Sequence, residues 1–426
     1  MKNNILTVLL YGKEICKLRW QGGYEKGFGK IGSMVSFNPE YHTFGFDVDP
    51  MGPYRLSTYL VKKGMSDICR SNEYEGLPRF LSASLPDDWG NQVLFQWMEA
   101  NGLRSHDITT VDKLAFIGKR GMGGFEFVPQ MYDASSEDAV VLEELYKLAI
   151  EIESAREGII LNLQNRPGVN ELMSVGMSAG GKHPKAIVAI NWKTGEIRSG
   201  QVLLPEDYIQ CILKFRDSET WPTAEIEYVY YQMATECGIE MEKSILLPVS
   251  GVNHFLTERF DRKDGKKVHS ATLRSLCGEV TSYDELFQAC RILHLPYYDI
   301  EQLYMRVVFN YLAGVTDDHD KNFSFIMSES GTWRLAPAYD ITFTVNYKNR
   351  FIGDRHAMSM AGSDKLVSRS QLHKLASEND VRNADSIINR IAEVLQSFTA
   401  KGAKVHIDDF YLDLISGYIQ EQELKI

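Results

Sequence analysis

In FNYLAGVTDDHDKNFSFIMSESGTWRLAPAYDIT, residues 309–342, Asp317 is followed by Asn322 after four intervening positions, and Asp340 lies 23 residues beyond Asp317. Those residue types have one economical joint use. A phosphoryl-transfer centre needs a carboxylate to accept the proton of the acceptor hydroxyl, and an Asn and an Asp whose oxygens ligate magnesium on the nucleotide phosphates. The segment reads as a helix ending near Gly314, an acidic loop, a strand FSFIM, a Ser-Glu-Ser-Gly turn and a returning strand WRLAPA. A hairpin brings its two ends together, so Asp317 and Asn322 should converge with Asp340. Taken alone, Asp317, Asp318 and Asp320 are a solvated acidic loop with Asn322 capping a turn; the hairpin and the second aspartate weigh against that.

Upstream residues supply the other parts such a centre requires. The spacing from Asp317 to Asn322 is that of the catalytic Asp and metal-binding Asn of protein kinases, and Asp340 stands where the second kinase metal ligand would. The loop Gly176-Met177-Ser178-Ala179-Gly180-Gly181-Lys182-His183-Pro184-Lys185 precedes a strand-like AIVAINW, and its glycines let backbone N–H groups close on phosphates. It does not match G-x-x-x-x-G-K-[ST], and many tight hairpins are equally glycine-rich. Lys182 and Lys185 are candidate triphosphate contacts or solvated loop lysines. Lys214, inside the apolar strand YIQCILKF, can reach phosphates from behind this loop. Glu227 on the following helix can hold that lysine, with Glu225 the alternative. Glu258-Arg259-Phe260-Asp261-Arg262 leaves a strand where an interlobe hinge would lie. Phe260 and the peptides around it are candidates for adenine, and Asp261 for ribose hydroxyls. His319 with Asp318 is too small a set for zinc, so His319 is expected to shape its loop by a hydrogen bond.

The elements that must position these groups are legible in outline. The first hundred residues carry strand and turn signals (ILTVLL, a Tyr-Gly turn, EICKLRW), predicting a small antiparallel sheet. SLPDDWGNQVLFQWMEANG predicts a helix capped by Asp87 or Asp88 and closed by Gly102. Leu142, Leu145, Leu148 and Ile152 predict a helix within 136–160. Further helices are expected over Glu225–Cys237, Asn383–Phe398 and His406–Tyr418, and a strand over His254–Asp261. The 46 basic and 57 acidic residues give a net charge of −11, which excludes a broad basic surface for nucleic acid. Six cysteines without C-x-x-C spacing indicate neither zinc ribbon nor disulfide framework and fit the cytoplasm. The apolar run near the N-terminus is too short for a signal peptide, and no stretch approaches the roughly 20 residues of a membrane span.

Taken together, SLPDDWGNQ, LAFIGKRGMGGFEF, SAGGKHPKAIV, LKF, ERFDR and above all TDDHDKNFSF with LAPAYDIT resemble the HipA-type serine/threonine kinases, the toxin half of bacterial HipBA toxin–antitoxin pairs. The resemblance covers most of the chain. It implies an α+β, two-lobed protein-kinase-like fold: an extra N-terminal β-rich subdomain (1–135), an N-lobe with the glycine-rich phosphate loop (136–257) and a mainly helical C-lobe (258–426). It implies ATP and Mg2+ as cofactors. Asp317 is then the base, Asn322 and Asp340 the metal ligands, and Lys214 the phosphate contact supported by Glu227. Ser178, Gly180, Gly181 and Lys185 would bind the nucleotide with Glu258, Phe260 and Asp261. Family members autophosphorylate a serine in the phosphate loop. Ser178 is the matching residue and Ser174 the alternative; the added charge of about −2 would repel ATP and favour an ejected loop. The partners implied are a protein substrate, such as an aminoacyl-tRNA synthetase or another translation protein, and a HipB-like helix-turn-helix antitoxin. No direct nucleic-acid or membrane contact is expected. The alternatives are a small-molecule kinase and a catalytically silent scaffold that binds a DNA-binding antitoxin.

Overall fold

A computed structural model of the chain describes residues 5–25, 29–70, 73–100, 102–104, 108–131, 142–154, 183–200, 204–216, 221–348, 353–366 and 368–426. Ser174, Ser178, Gly180, Gly181 and Lys182 lie outside them.

Period-two alternation sets the first sheet. In β1 (Ile5–Leu10), Leu6, Val8 and Leu10 point into the core while Ile5 is exposed. Tyr11 and Gly12 then take φ values of 52° and 72°, the left-handed pair that suits a tight hairpin, and β2 (Lys13–Trp20) returns antiparallel. With β3 (Ser33–Phe37), β4 (Ser66–Ile68) and β5 (Glu126–Val128) the order is β4-β3-β2-β1-β5. Two helices accompany this sheet, α1 (Asp88–Ala100) and α2 (Thr110–Ile117). Asp87 is the cap of α1, its Oδ1 accepting the Gly90 N–H at 2.7 Å.

After α3 (Leu142–Ser154), which buries Leu145, Leu148 and Ile152, comes a second five-stranded sheet. Its strands are β6 (Lys185–Ile190), β7 (Ile197–Ser199), β8 (Ile209–Lys214), β9 (Ser244–Val249) and β10 (Val252–Glu258), in the order β9-β10-β8-β6-β7. Every residue of β6 is buried, Lys185 included, and the apolar run 186–190 is that of a strand covered on both faces. Between β8 and β9 runs α4 (Thr223–Cys237), closed by Gly238 at φ 93°.

The remainder is mainly helical around a small sheet of β11 (His269–Thr272), β12 (Ser324–Met327) and β13 (Trp333–Leu335). Its helices include α5 (Tyr283–Ile292), α6 (Tyr297–Ala313), α7 (Arg369–Glu378), α8 (Ala384–Leu395), α9 (Phe398–Lys404) and α10 (Asp409–Glu423). The last is capped by Asp408, whose side chain accepts the Phe410 N–H, and begins at Asp409, three residues later than the periodicity from His406 suggests. The first and third sheets are joined at one junction. Tyr11 Oη donates to the Met327 carbonyl and accepts the His269 N–H. The GMGGF run has its reason here: a Cβ on Gly123 would lie 2.9 Å from the Ser270 carbonyl oxygen, and Gly123 also needs φ 72°. Among the described residues no helix is long and apolar enough to cross a membrane.

Candidate active site

The acidic loop is positioned from α6. That helix stops at Gly314, φ 73°, where a Cβ would press within 2.8 Å of Tyr418 and 2.9 Å of Phe343. The three aspartates that follow then separate. Asp318 is buried and accepts hydrogen bonds from Tyr283 Oη at 2.5 Å, His356 Nδ1 at 2.8 Å and the N–H groups of Ala357 and Met358 at 2.9 and 3.3 Å. Asp320 accepts the Val280 N–H at 3.0 Å and faces Arg274 Nε at 3.4 Å. Only Asp317 turns outward, its side chain 65% exposed, while Thr344 Oγ1 accepts its N–H at 3.0 Å. A solvated loop therefore fails for Asp318 and Asp320, which are anchors that fix where Asp317 points. His319 Nδ1 accepts the Lys321 N–H at 3.2 Å, a local hydrogen bond of the expected kind, and Nε2 lies 3.8 Å from Asp317 Oδ1.

The hairpin converges as its spacing predicts. Phe325 pairs with Leu335 and Met327 with Trp333, and a single pocket is lined by Asn310, Asp317, Asn322, Tyr339 and Asp340. Asn322 Nδ2 donates to the Asp317 carbonyl at 2.8 Å, which orients the amide so that its oxygen is the end left for a ligand. Asp340 takes φ 53°, a left-handed conformation rare outside glycine, and its carboxylate is bonded to Lys214 Nζ. Lys214 also donates to Glu227 Oε1 at 2.5 Å. Burial pulls on the Lys214 ammonium, but Asp340 and Glu227 outweigh it and raise its pKa. Burial likewise opposes the Asp340 carboxylate, yet Lys214 holds it below the usual range, whereas Glu227 is pushed up by burial. Glu225, the alternative partner, instead meets Arg216 at 3.5 Å and Asn253 Nδ2 at 3.0 Å.

Lys185 is buried, directly across from Lys214 in the β6–β8 register, with Asp87 3.5 Å from its Nζ. At the strand exit where the sequence predicts a hinge, Phe260 stacks on Tyr339, centroids 5.7 Å apart, beside Asp340. Glu258 is only partly as expected: its N–H is taken by the Lys243 carbonyl at 3.0 Å and its side chain by Trp192 Nε1 at 2.7 Å, so its N–H has no capacity left for a purine.

Asp261 is a correction. Its side chain is fully buried, bonded to Arg259 at 2.8 and 2.7 Å, to Arg262 at 2.8 Å and to the Gly123 N–H at 2.6 Å, which leaves nothing for ribose hydroxyls. Burial opposes its charge, but the two guanidinium groups win and hold the carboxyl well below its usual range. It fastens this strand exit to the N-terminal sheet's loop, 138 residues away in sequence. Asp261→Ala would strand two buried cations and is expected to cost about 3–5 kcal/mol in denaturant unfolding.

Asn322 and Asp340 offer hard oxygen donors, the set suited to magnesium that takes its other ligands from phosphate and water. Among the described residues there is no cluster of three or more His, Cys, Asp or Glu arranged for a metal. Asn310 and Tyr339 line the site without a motif that assigns them, while Asp87 beside it belongs to SLPDDWGNQ, where it reads as a helix cap.

Comparison with known proteins bears on the fold and the family. Over 99% of its length the chain superposes on 96% of a chain in the Shewanella oneidensis MR-1 toxin–antitoxin complex of HipA, HipB and operator DNA, at TM-score 0.66 and 17% identity. That likeness carries the α+β, kinase-like fold. A Haemophilus influenzae protein named "Putative kinase" is 29% identical over 160 residues, 33% of this chain and 47% of that one, so the chain spans about half the length of this curated relative. The model of the HipA-like C-terminal domain matches residues 177–401, which hold Lys214, Glu227, Asp317, Asn322 and Asp340, and with more than half of its length inside that match the chain belongs to the HipA-like C-terminal domain family.

Proposed function

We propose that this chain is an ATP- and magnesium-dependent serine/threonine protein kinase of HipA type, acting as the toxin of a toxin–antitoxin pair. The observation that carries it is the division of labour in TDDHD: two aspartates locked inward so that a third, Asp317, stands exposed at a pocket it shares with Asn322 and Asp340. Asp317 accepts the proton of a serine or threonine hydroxyl as that oxygen attacks the terminal phosphorus of ATP, whose bond to the bridging oxygen breaks and releases ADP. Lys214, pinned between Glu227 and Asp340, meets the phosphate oxygens, and the oxygens of Asn322 and Asp340 would hold magnesium. When bound, the metal neutralises charge on the phosphates and fixes their orientation. All of these groups are set before the substrate arrives, so little reorganisation opposes the transition state.

The name of the Shewanella complex supports a HipB-like helix-turn-helix partner, through which a chain of net charge −11 would reach DNA. All six cysteines are free thiols, in keeping with a cytoplasmic setting. Phosphosite mapping by mass spectrometry after incubation with ATP and magnesium tests the proposal. Phosphate on protein serine or threonine is expected, with Ser178 or Ser174 modified in the chain itself and no transfer in EDTA. ATP consumption with label found only on small molecules would contradict a protein kinase.

A further inference from the structure

We propose that Asp87 is a positioning residue of the nucleotide site: from the cap of α1 it holds the Lys185 ammonium beside Lys214, so that the triphosphate meets two lysines rather than one. The inference rests on the kinase assignment above and deepens it, because it makes a residue of the N-terminal sheet's own helix part of the ATP site.

Lys185 and Lys214 are directly opposed in the β6–β8 register, so their side chains leave the same face of the sheet as neighbours. Two cations so placed repel each other. Lys185 is 3% exposed, and both burial and Lys214 work against its charge. The compensation comes from Asp87, 3.5 Å from Lys185 Nζ, with Asp340 a weaker attraction. Lys214 donates to both Glu227 and Asp340. Asp88 acts on Asp87, His183 on Glu227 and His319 on Asp340.

The grip is double. Asp87 Oδ1 caps α1 through the Gly90 N–H, its Oδ2 faces the lysine, and two residues on Trp89 Nε1 donates to the Lys185 carbonyl at 2.9 Å. One short segment of the SLPDDWG motif thus fixes both the main chain and the ammonium of the residue that ends the phosphate loop. At 3.5 Å the contact is at the outer limit of a hydrogen bond, so a phosphate oxygen can take the ammonium without breaking a strong one. The motif acquires a function, and the local positive field that an acidic chain needs for a polyanion gains its second member.

Asp87→Asn separates charge from structure, since asparagine caps a helix as well as aspartate does. Titration of the full-length chain with a fluorescent ATP analogue and magnesium should show roughly tenfold weaker binding for Asp87→Asn. The turnover number at saturating ATP should stay within a few-fold of wild type, and Asp87→Glu should restore most of the affinity. Lys185→Met should lose affinity by a similar factor, and Asp87→Asn added to it should lose no more. Wild-type affinity in Asp87→Asn, or losses that multiply in the double variant, would overturn the inference while leaving the kinase assignment intact. A wild-type chain that binds no nucleotide would overturn both.

Discussion

Lys214→Met is expected to lower phosphate transfer by at least about a hundredfold, because it removes the cation that the site aims at the transferring group. The loss should appear in nucleotide affinity and in turnover alike, since Lys214 would contact phosphate in the ground state and in the transition state. A pH signature accompanies it. In the wild type the Lys214 pKa is raised above its unfolded value, so its contribution to stability is present below that value and fades as pH rises through the folded one. Asp340 is depressed, so its contribution is present above the unfolded carboxylate value and fades as pH falls through the folded one. Together they favour the folded state across the broad neutral range. Without Lys214, Asp340 and Glu227 face each other with no cation between them, and the carboxyl that keeps its proton does so at a pKa raised above the unfolded value. Its stabilisation is present at low pH and lost as pH rises. Thermal unfolding of Lys214→Met should therefore show a Tm difference from wild type that shrinks between pH 8 and pH 5. A constant or widening difference would show that the two carboxylates are not coupled through the lysine.

Asp318→Ala is expected to cost about 3–5 kcal/mol of stability, a large effect for one substitution. The deletion leaves Tyr283 Oη, His356 Nδ1 and the Ala357 N–H without the buried acceptor they share. The ring of His356 lies flat on Tyr311 at 3.8 Å, so the damage should spread into α6 and loosen the helix that positions the catalytic loop. Urea denaturation at neutral pH reads this directly. A variant within about 1 kcal/mol of wild type would mean that the loop is held by something other than the Asp318 anchor.

The contrast between neighbouring aspartates shows what a sequence can and cannot disclose. The hairpin and its convergence were legible because turn chemistry and strand alternation are local, and Asp317, Asn322 and Asp340 do line one pocket. The pairing of Lys214 with Glu227 was legible from strand and helix order, although choosing it over Glu225 required the faces of α4. That Asp318 and Asp320 turn inward was not legible, because their partners Tyr283, His356, Arg274 and Val280 are 35 or more residues away. Asp261 was misassigned for the same reason: a charged strand exit looks solvated until the Gly121–Gly123 loop of the first sheet closes over it. Asp87 was read only as a helix cap, since its second role depends on β6, 98 positions later. Local pattern carries the elements and the approximate site, whereas buried charge needs the tertiary contacts that neutralise it.

The most direct test is transfer of the terminal phosphate from radiolabelled ATP with magnesium by the full-length wild type and Asp317→Asn, with nucleotide binding and urea stability measured in parallel. The Asp317 side chain is mostly exposed, and among the described residues its charged neighbour is His319 at 3.8 Å, so the variant should fold and bind ATP as the wild type does. Its transfer rate should fall by about two to four orders of magnitude, the range lost with a positioned general base. Transfer by Asp317→Asn within a few-fold of wild type would contradict the account.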